Sequence, residues 1–284
     1  MTYLRRGTRN HLLRGTFARS PAHSVPLMAS PSNRTLIKTV RSTRQYSRKK
    51  VAAVWAAATL PMGVLAWVVA PAIAGDGASS RRFAVTLLVA LTFGLIWQAL
   101  LVLVLVWRER RDPSWTSLRD RLWLTAPRTS SQRGGRLWWW VPVYALGLAA
   151  LDVLPFGPTG PGHRDFGVFL GTPEGRQTFQ DAWGLYALVA VELLFNTVLG
   201  EELLFRGLLL PRMRGAFGRA DWLVNGVLFG LYHVHEPWVI PNAVVTGFLC
   251  AHPTRRFRSA WMGIAIHSVE SVFFLAVLLT LVLS

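Results

Sequence analysis

The chain is poor in cysteine and in acid. One cysteine, Cys250, among 284 residues excludes an intramolecular disulfide framework and a cysteine-rich metal centre, and its apolar surroundings make it a packing position. Asp and Glu number 14 against 31 Lys and Arg, and no acid falls in the first 50 residues. Lysine is scarce as well, so the net charge of +17 is carried almost wholly by arginine. Two familiar hydrolase signatures are missing: the H-E-x-x-H of soluble zinc proteases and the G-x-S-x-G of the serine nucleophile elbow. No internal repeat of fixed period is present.

What the chain has in excess is apolar residues in long blocks. Only 16% of residues are charged and 52% are hydrophobic, a balance typical of membrane proteins. A helix crosses a hydrocarbon core of roughly 30 Å with about 20 apolar residues. Residues 51–74 and 83–107 meet that length most clearly. Residues 137–154, 182–210, 222–236, 238–252 and 259–283 complete a set of seven. The fifth and sixth are short and are interrupted near Pro237 and Pro241, so the range is six to eight spans. The fold class expected is all-α, a polytopic transmembrane bundle over 51–284.

The basic residues lie between the blocks rather than on a soluble face, which argues for topology and against nucleic-acid binding. Twelve fall in residues 1–50, eight in 108–136, three in 211–221 and three in 253–258. The other side receives Arg81, Arg82, Arg164 and Arg176, a split of 26 to four. By the positive-inside rule the N-terminus and the basic loops face the cytoplasm, and a bacterial plasma membrane is the expected location. Residues 1–50 read as a basic, disordered tail drawn to anionic lipid, although the composition also matches a transit peptide, and a start at Met28 is a further alternative. The stretch TSLRDRLWLTAPR in the 108–136 loop reads either as a short interfacial helix or as a solvated linker. Residues 153–181, rich in Gly and Pro, form an irregular loop in which His163 is an ordinary loop histidine.

Charge inside a membrane helix costs about 2.5–3.5 kcal/mol on insertion scales, so each such residue needs a partner or a task. The fourth block, WGLYALVAVELLFNTVLGEELLFRGLLLP, holds Glu192, Glu201, Glu202 and Arg206 in one helix expected to end before Pro211. Glu202 and Arg206 are four apart and share a face, which suits an ion pair. Glu201 is turned away by about 100°, so one carboxylate is structural and the other available. The next block carries Phe229 and His233, and the last carries His267, Glu270 and Ser271. Counted from the basic ends at about 1.5 Å per residue, Glu201, His233 and His267 reach one level near the bilayer middle.

A carboxylate and two imidazoles at one depth can hold a water, take its proton and stabilise the oxyanion formed on a carbonyl. Glu201, His233 and His267 equally fit a single zinc ion with water as fourth ligand. Spacing alone leaves both mechanisms open. Ser268 and Ser271 follow His267 on the same helix, but small hydroxyls there ordinarily bond back to the backbone or assist packing.

The motifs resemble those of the CPBP family of intramembrane proteases, which includes the type II CAAX prenyl endopeptidases and the bacterial Abi proteins. E-E-x-x-x-R appears as Glu201-Glu202-Leu203-Leu204-Phe205-Arg206 followed by Gly207, and F-x-x-x-H as Phe229 to His233. A third motif, His followed four residues on by Asn or Asp, is met only at His267, because Ser271 stands in the last place. The similarity spans about 180–275. It implies that Glu201 and His233 activate water, that His267 stabilises the oxyanion, and that Glu202, Arg206 and Phe229 support them. Ser271 offers one short-armed donor where an Asn amide offers two, which weakens that function. The implied activity is an endopeptidase acting on a peptide or protein segment near the cytoplasmic side of the membrane, with a cavity open to the cytoplasm. CAAX proteins and small peptides such as bacteriocins are both substrate classes by analogy. The alternatives are a non-catalytic scaffold or immunity protein with a buried Glu-Arg-His network, and a proton-coupled transporter.

Overall fold

In the computed structural model, residues 43–109, 114–153 and 157–284 are described. The basic tail lies outside them up to residue 42, as does Met28. The described chain from Thr43 onward belongs to one compact unit, Thr39–Ser284. Its regular structure is helical, with one isolated bridge between Arg128 and Arg133.

Helix α1, Arg48–Ala74, starts where the Ser47 hydroxyl accepts from the Lys50 amide, and it runs through a π turn, Leu65–Val69, that follows Pro61. Helix α2 is Ser80–Glu109. A short helix α3, Trp115–Arg121, is capped by Ser114, so the loop stretch left open by the sequence does form a helix; Leu122 after it is buried in the bundle. Helix α4 is Trp140–Val153. Two short helices, α5 (Phe166–Gly171, capped by Asp165) and α6 (Pro173–Phe179, capped by Thr172), order the Gly- and Pro-rich loop. Then come α7 over 183–217, α8 (Asp221–Tyr232), α9 (Ile240–Phe257) and α10 (Ala260–Val282).

Helix α7 is the axis of the fold, with every residue from Gly200 to Met213 buried. A helix apolar on all sides belongs at the centre, and α1, α2, α8, α9 and α10 surround this one. The sequence ends α7 before Pro211; instead it continues to Phe217. The π turn Leu203–Leu209 loosens the ladder just ahead of the proline, whose missing N–H then falls in a first turn. The fifth block also differs. Helix α8 stops at Tyr232, and His233 is its C-cap rather than a mid-helix residue. Its 12 residues rise about 18 Å, too little to cross a bilayer, so α8 and α9 form a hairpin turning at residues 233–239. Gly226 and Gly230 allow the close packing of that hairpin: a Cβ at Gly247 would stand 2.5 Å from the Gly226 carbonyl oxygen.

Contacts at the two ends sort the helix termini. At the Arg-rich end, Glu109 receives Lys50 and Arg212 at 3.0 Å each, Tyr46 N donates to Arg212 O, and Ser259 Oγ donates to Thr125 O. At the other end, Arg81 N donates to Glu174, the Arg164 guanidinium lies 4.2 Å from the Trp67 ring centroid, and Asp181 N donates to Val282 O. The helices therefore alternate between two ends. Large apolar side chains line the outside, among them Phe93 at 64% and Leu146 at 72% exposure, as a lipid-facing surface requires. Among the described residues three helices, α1, α2 and α10, are long and apolar enough to cross a membrane, and a fourth follows if the bent α6–α8 stretch counts as one span.

Candidate active site

Glu201 and Glu202 sit between two π turns of α7, Phe195–Gly200 and Leu203–Leu209. Such turns re-aim side chains relative to a regular 3.6-residue helix. The two neighbours consequently enter different environments. Glu202 Oε1 pairs with Arg206 Nη1 at 2.9 Å and lies 3.2 Å from His267 Nδ1, so the i,i+4 pair expected from the sequence forms and gains a histidine. Arg206 also donates from Nη2 to Gly247 O, and its guanidinium stacks 4.1 Å from the Phe229 ring centroid. Both members of the pair are fully buried.

Glu201 makes no contact with Arg206 within ion-pair distance. The Asn196 amide, turned with its nitrogen toward the carboxylate, donates to both oxygens at 2.7 and 3.0 Å. The Tyr232 hydroxyl, which accepts from Gln98 at 2.6 Å, interacts with the same carboxylate. Across a gap of 3.9 Å, Glu201 Oε1 faces His233 Nε2. His233 Nδ1 lies 2.9 Å from Phe229 O and donates to it, which leaves a lone pair on Nε2 in the neutral ring. Two acceptors at that separation leave room for a water donating to both.

Phe229 explains the F-x-x-x-H spacing. Its carbonyl fixes the His233 tautomer, while its ring stands edge-on to His233, at 5.0 Å between centroids, and to His267, at 6.0 Å. Ser271 hydrogen-bonds to the Thr197 hydroxyl, one turn along α10 from His267. The motif residues are thus brought together in two linked groups: Glu201 with His233, and Glu202 with Arg206 and His267.

Several partners escaped the sequence reading. Asn196 is a lone amide five residues before Glu201 in an apolar helix, the one signal that pointed to it. Tyr232 and Gln98 look like ordinary helix residues in sequence. Gly263 lets α10 approach α7; a Cβ there would lie 2.4 Å from Glu202 Oε2. His235 stacks on His233 at 5.4 Å.

A cavity of about 290 Å³ between α2, α7 and α10 reaches the His267 side of this site, and Glu201 and His233 lie behind its lining. Glu192, Asn196, Glu236, His267, Glu270 and Ser271 line it, and His163 and Arg164 stand at its loop side. His163 lies in the loop as expected and also lines the cavity. The cavity occupies the half of the bundle that carries residues 157–181. Toward the Arg-rich end, where the sequence reading expects the mouth, Leu204, Phe205, Leu208, Leu209 and Met213 fill the bundle core.

Among the described residues no three His, Cys, Asp or Glu side chains stand close enough to hold a metal ion. Zinc ligands sit about 2.0–2.2 Å from the ion, and His267 offers Nδ1 to Glu202 instead of joining Glu201 and His233. The donor set as it stands does not fit the zinc expected as one option, and the chemistry below runs through no metal.

Residues 182–273 match the family described as Type II CAAX prenyl endopeptidase Rce1-like, over α7, α8, α9 and the first half of α10. The matched segment, about a third of the chain, is the one whose motifs resemble that family. No curated protein and no solved structure matches significantly.

Proposed function

We propose that this chain, whose residues 182–273 carry a CAAX-endopeptidase-like domain, is an intramembrane endopeptidase that hydrolyses a peptide bond with water activated by Glu201 and His233. The observation that carries the reading is the 3.9 Å gap between the Glu201 carboxylate and the unprotonated nitrogen of His233. A water there donates to both and loses one proton to Glu201 as its oxygen attacks the carbonyl carbon. The oxyanion is stabilised by His267, which lines the cavity and whose second nitrogen donates when the ring is protonated beside Glu202. Collapse breaks the C–N bond, and the Glu201 proton passes to the leaving amine. Asn196 and Tyr232 hold Glu201, while Glu202 and Arg206 hold His267 and the helix.

The full proposal includes seven helical segments in the membrane, of which α8 enters without crossing it, a cytoplasmic N-terminus and a peptide substrate lying near the membrane, as a CAAX-type protease takes. His267 stands nearer the Arg-rich end of α10 than its other end, which supports cleavage toward that side, whereas His233 caps the far end of α8. The position of the cavity argues for entry through the opposite half. A second reading, a non-catalytic membrane scaffold, draws on Ser271, which is paired with Thr197 where the family motif has Asn or Asp.

Peptide cleavage by the purified protein, compared with Glu201→Ala and His233→Ala, tests the proposal. Wild-type cleavage with loss in both variants is expected. Equal activity in all three would return the chain to the scaffold reading. Inhibition by a chelator and recovery with zinc would replace direct glutamate catalysis by a metal mechanism.

A further inference from the structure

A second constellation lies away from the protease-like site, at the Arg-rich end. Two adjoining cavities of about 450 and 310 Å³ share Arg214, Arg255 and Arg258 as lining residues. Arg128 adds to the first, and Arg219 and Arg256 to the second, so six guanidiniums surround them. Among the described residues the one carboxylate lining either cavity is Asp221, and Arg255 Nε donates to it at 2.7 Å. Among the described residues none of the other five arginines stands within ion-pair distance of an acid. Arg128 shows the strain: its Nε is buried without a hydrogen-bond partner. Burial, then the neighbouring Arg258 and Arg133, holds its pKa below the usual value, with Asp120 opposing.

Unpaired guanidiniums converging on a partly enclosed space are built for a phosphate, which each can engage through parallel N–H donors. The setting selects the source of that phosphate. Trp222 lines the second cavity, and from it the lipid-facing side of α8 continues through Leu223, Val227 and Leu231, exposed at 41%, 39% and 43%. A headgroup seated among the arginines would lay its acyl chains along that strip, with the indole at the interface. We infer that the Arg214–Arg258 cavities bind the phosphate headgroup of an anionic phospholipid, with the acyl chains against α8. Binding there would brace the loop 122–134, the α7–α8 turn and the α9–α10 turn, which carry the ends of the helices bearing the protease-like motifs.

The test uses the full chain in neutral detergent, titrated with phosphatidylglycerol, phosphatidylcholine or inorganic phosphate, with binding read by native mass spectrometry and thermal melting. Phosphatidylglycerol is expected to bind and raise the melting temperature, and the other two to do neither at equal concentration. Arg214→Gln combined with Arg258→Asn, which retains a residue tolerant of the left-handed backbone at position 258, is expected to weaken phosphatidylglycerol about thirtyfold. Arg214 is exposed, so Arg214→Gln alone carries the test if the double variant does not fold, with about fivefold weakening expected. The inference is overturned if phosphatidylcholine binds as well as phosphatidylglycerol, if inorganic phosphate alone reproduces the shift, or if the variants keep wild-type affinity. Peptide cleavage plays no part in this readout.

Discussion

Gly263→Ala is the sharpest test of how the buried ion pair is held. A Cβ at this position of α10 would lie 2.4 Å from Glu202 Oε2, 2.9 Å from Thr254 Oγ1 and 3.1 Å from Arg206 Cγ. Ordinary contact requires about 3.5 Å, so the carboxylate or the helix must move by about 1 Å. The carboxylate cannot swing freely, because its other oxygen is fixed by Arg206 at 2.9 Å and His267 at 3.2 Å. Overpacking of this kind costs about 1–3 kcal/mol, and a reacting group displaced by about 1 Å loses about a hundredfold in rate. The variant is therefore expected to fold with a lowered melting temperature and to lose about two orders of magnitude in kcat/KM for peptide cleavage. Gly184→Ala, where a Cβ meets nothing within 4 Å, is the control and should change neither. Wild-type activity and melting in Gly263→Ala would show that the α7–α10 contact does not fix the site, and the assignment of Glu202 as a positioning group for His267 would fall with it.

Asn196→Leu removes two donors from Glu201 at nearly constant volume and should lower kcat about ten- to a hundredfold, measured on the same peptide; an unchanged kcat would show that the amide does not hold the carboxylate. Ser271→Asn restores the longer arm with two donors and should raise the cleavage rate by about tenfold or more; no change counts against a role for this position in oxyanion stabilisation. The cavity can be probed with thiols, since Cys250 is buried and the chain has no other cysteine. Glu192→Cys should react with a membrane-impermeant reagent applied to the face that carries residues 157–181, and labelling from the Arg-rich face alone would show that the cavity opens the other way.

Much of the helical framework was legible because apolar block length and the placement of arginine report directly on a bilayer. The blocks at 51–74, 83–107 and 259–283 return as α1, α2 and α10 with ends shifted by a few residues. Turning points were less legible. Pro211 reads as a stop, yet a π turn ahead of it carries α7 through, and nothing in composition announces a π turn. The α8–α9 hairpin was half visible in Pro237 and Pro241. Its tight seam depends on Gly226 meeting Gly247, a pairing between helices that a single sequence does not display.

The site teaches the same distinction at the scale of two adjacent residues. Glu201 and Glu202 are chemically identical, and helix geometry alone could say only that one shares a face with Arg206. Their division of labour comes from the partners that α7 and its neighbouring helices bring to each. To Glu202 come Arg206 and His267, two positively charged or chargeable groups in contact, which keep its charge paired. To Glu201 come the Asn196 amide and the Tyr232 hydroxyl, which orient a carboxylate without matching it with a cation, and His233, whose accepting nitrogen completes a seat for water. A buried carboxylate oriented by neutral donors, with no cation in contact, is the one the proposed mechanism uses as its base. The local motif therefore identifies the pair, and the packing of α8 and α10 against α7 gives each member its own partners, which is why the proposed mechanism assigns the proton of water to Glu201.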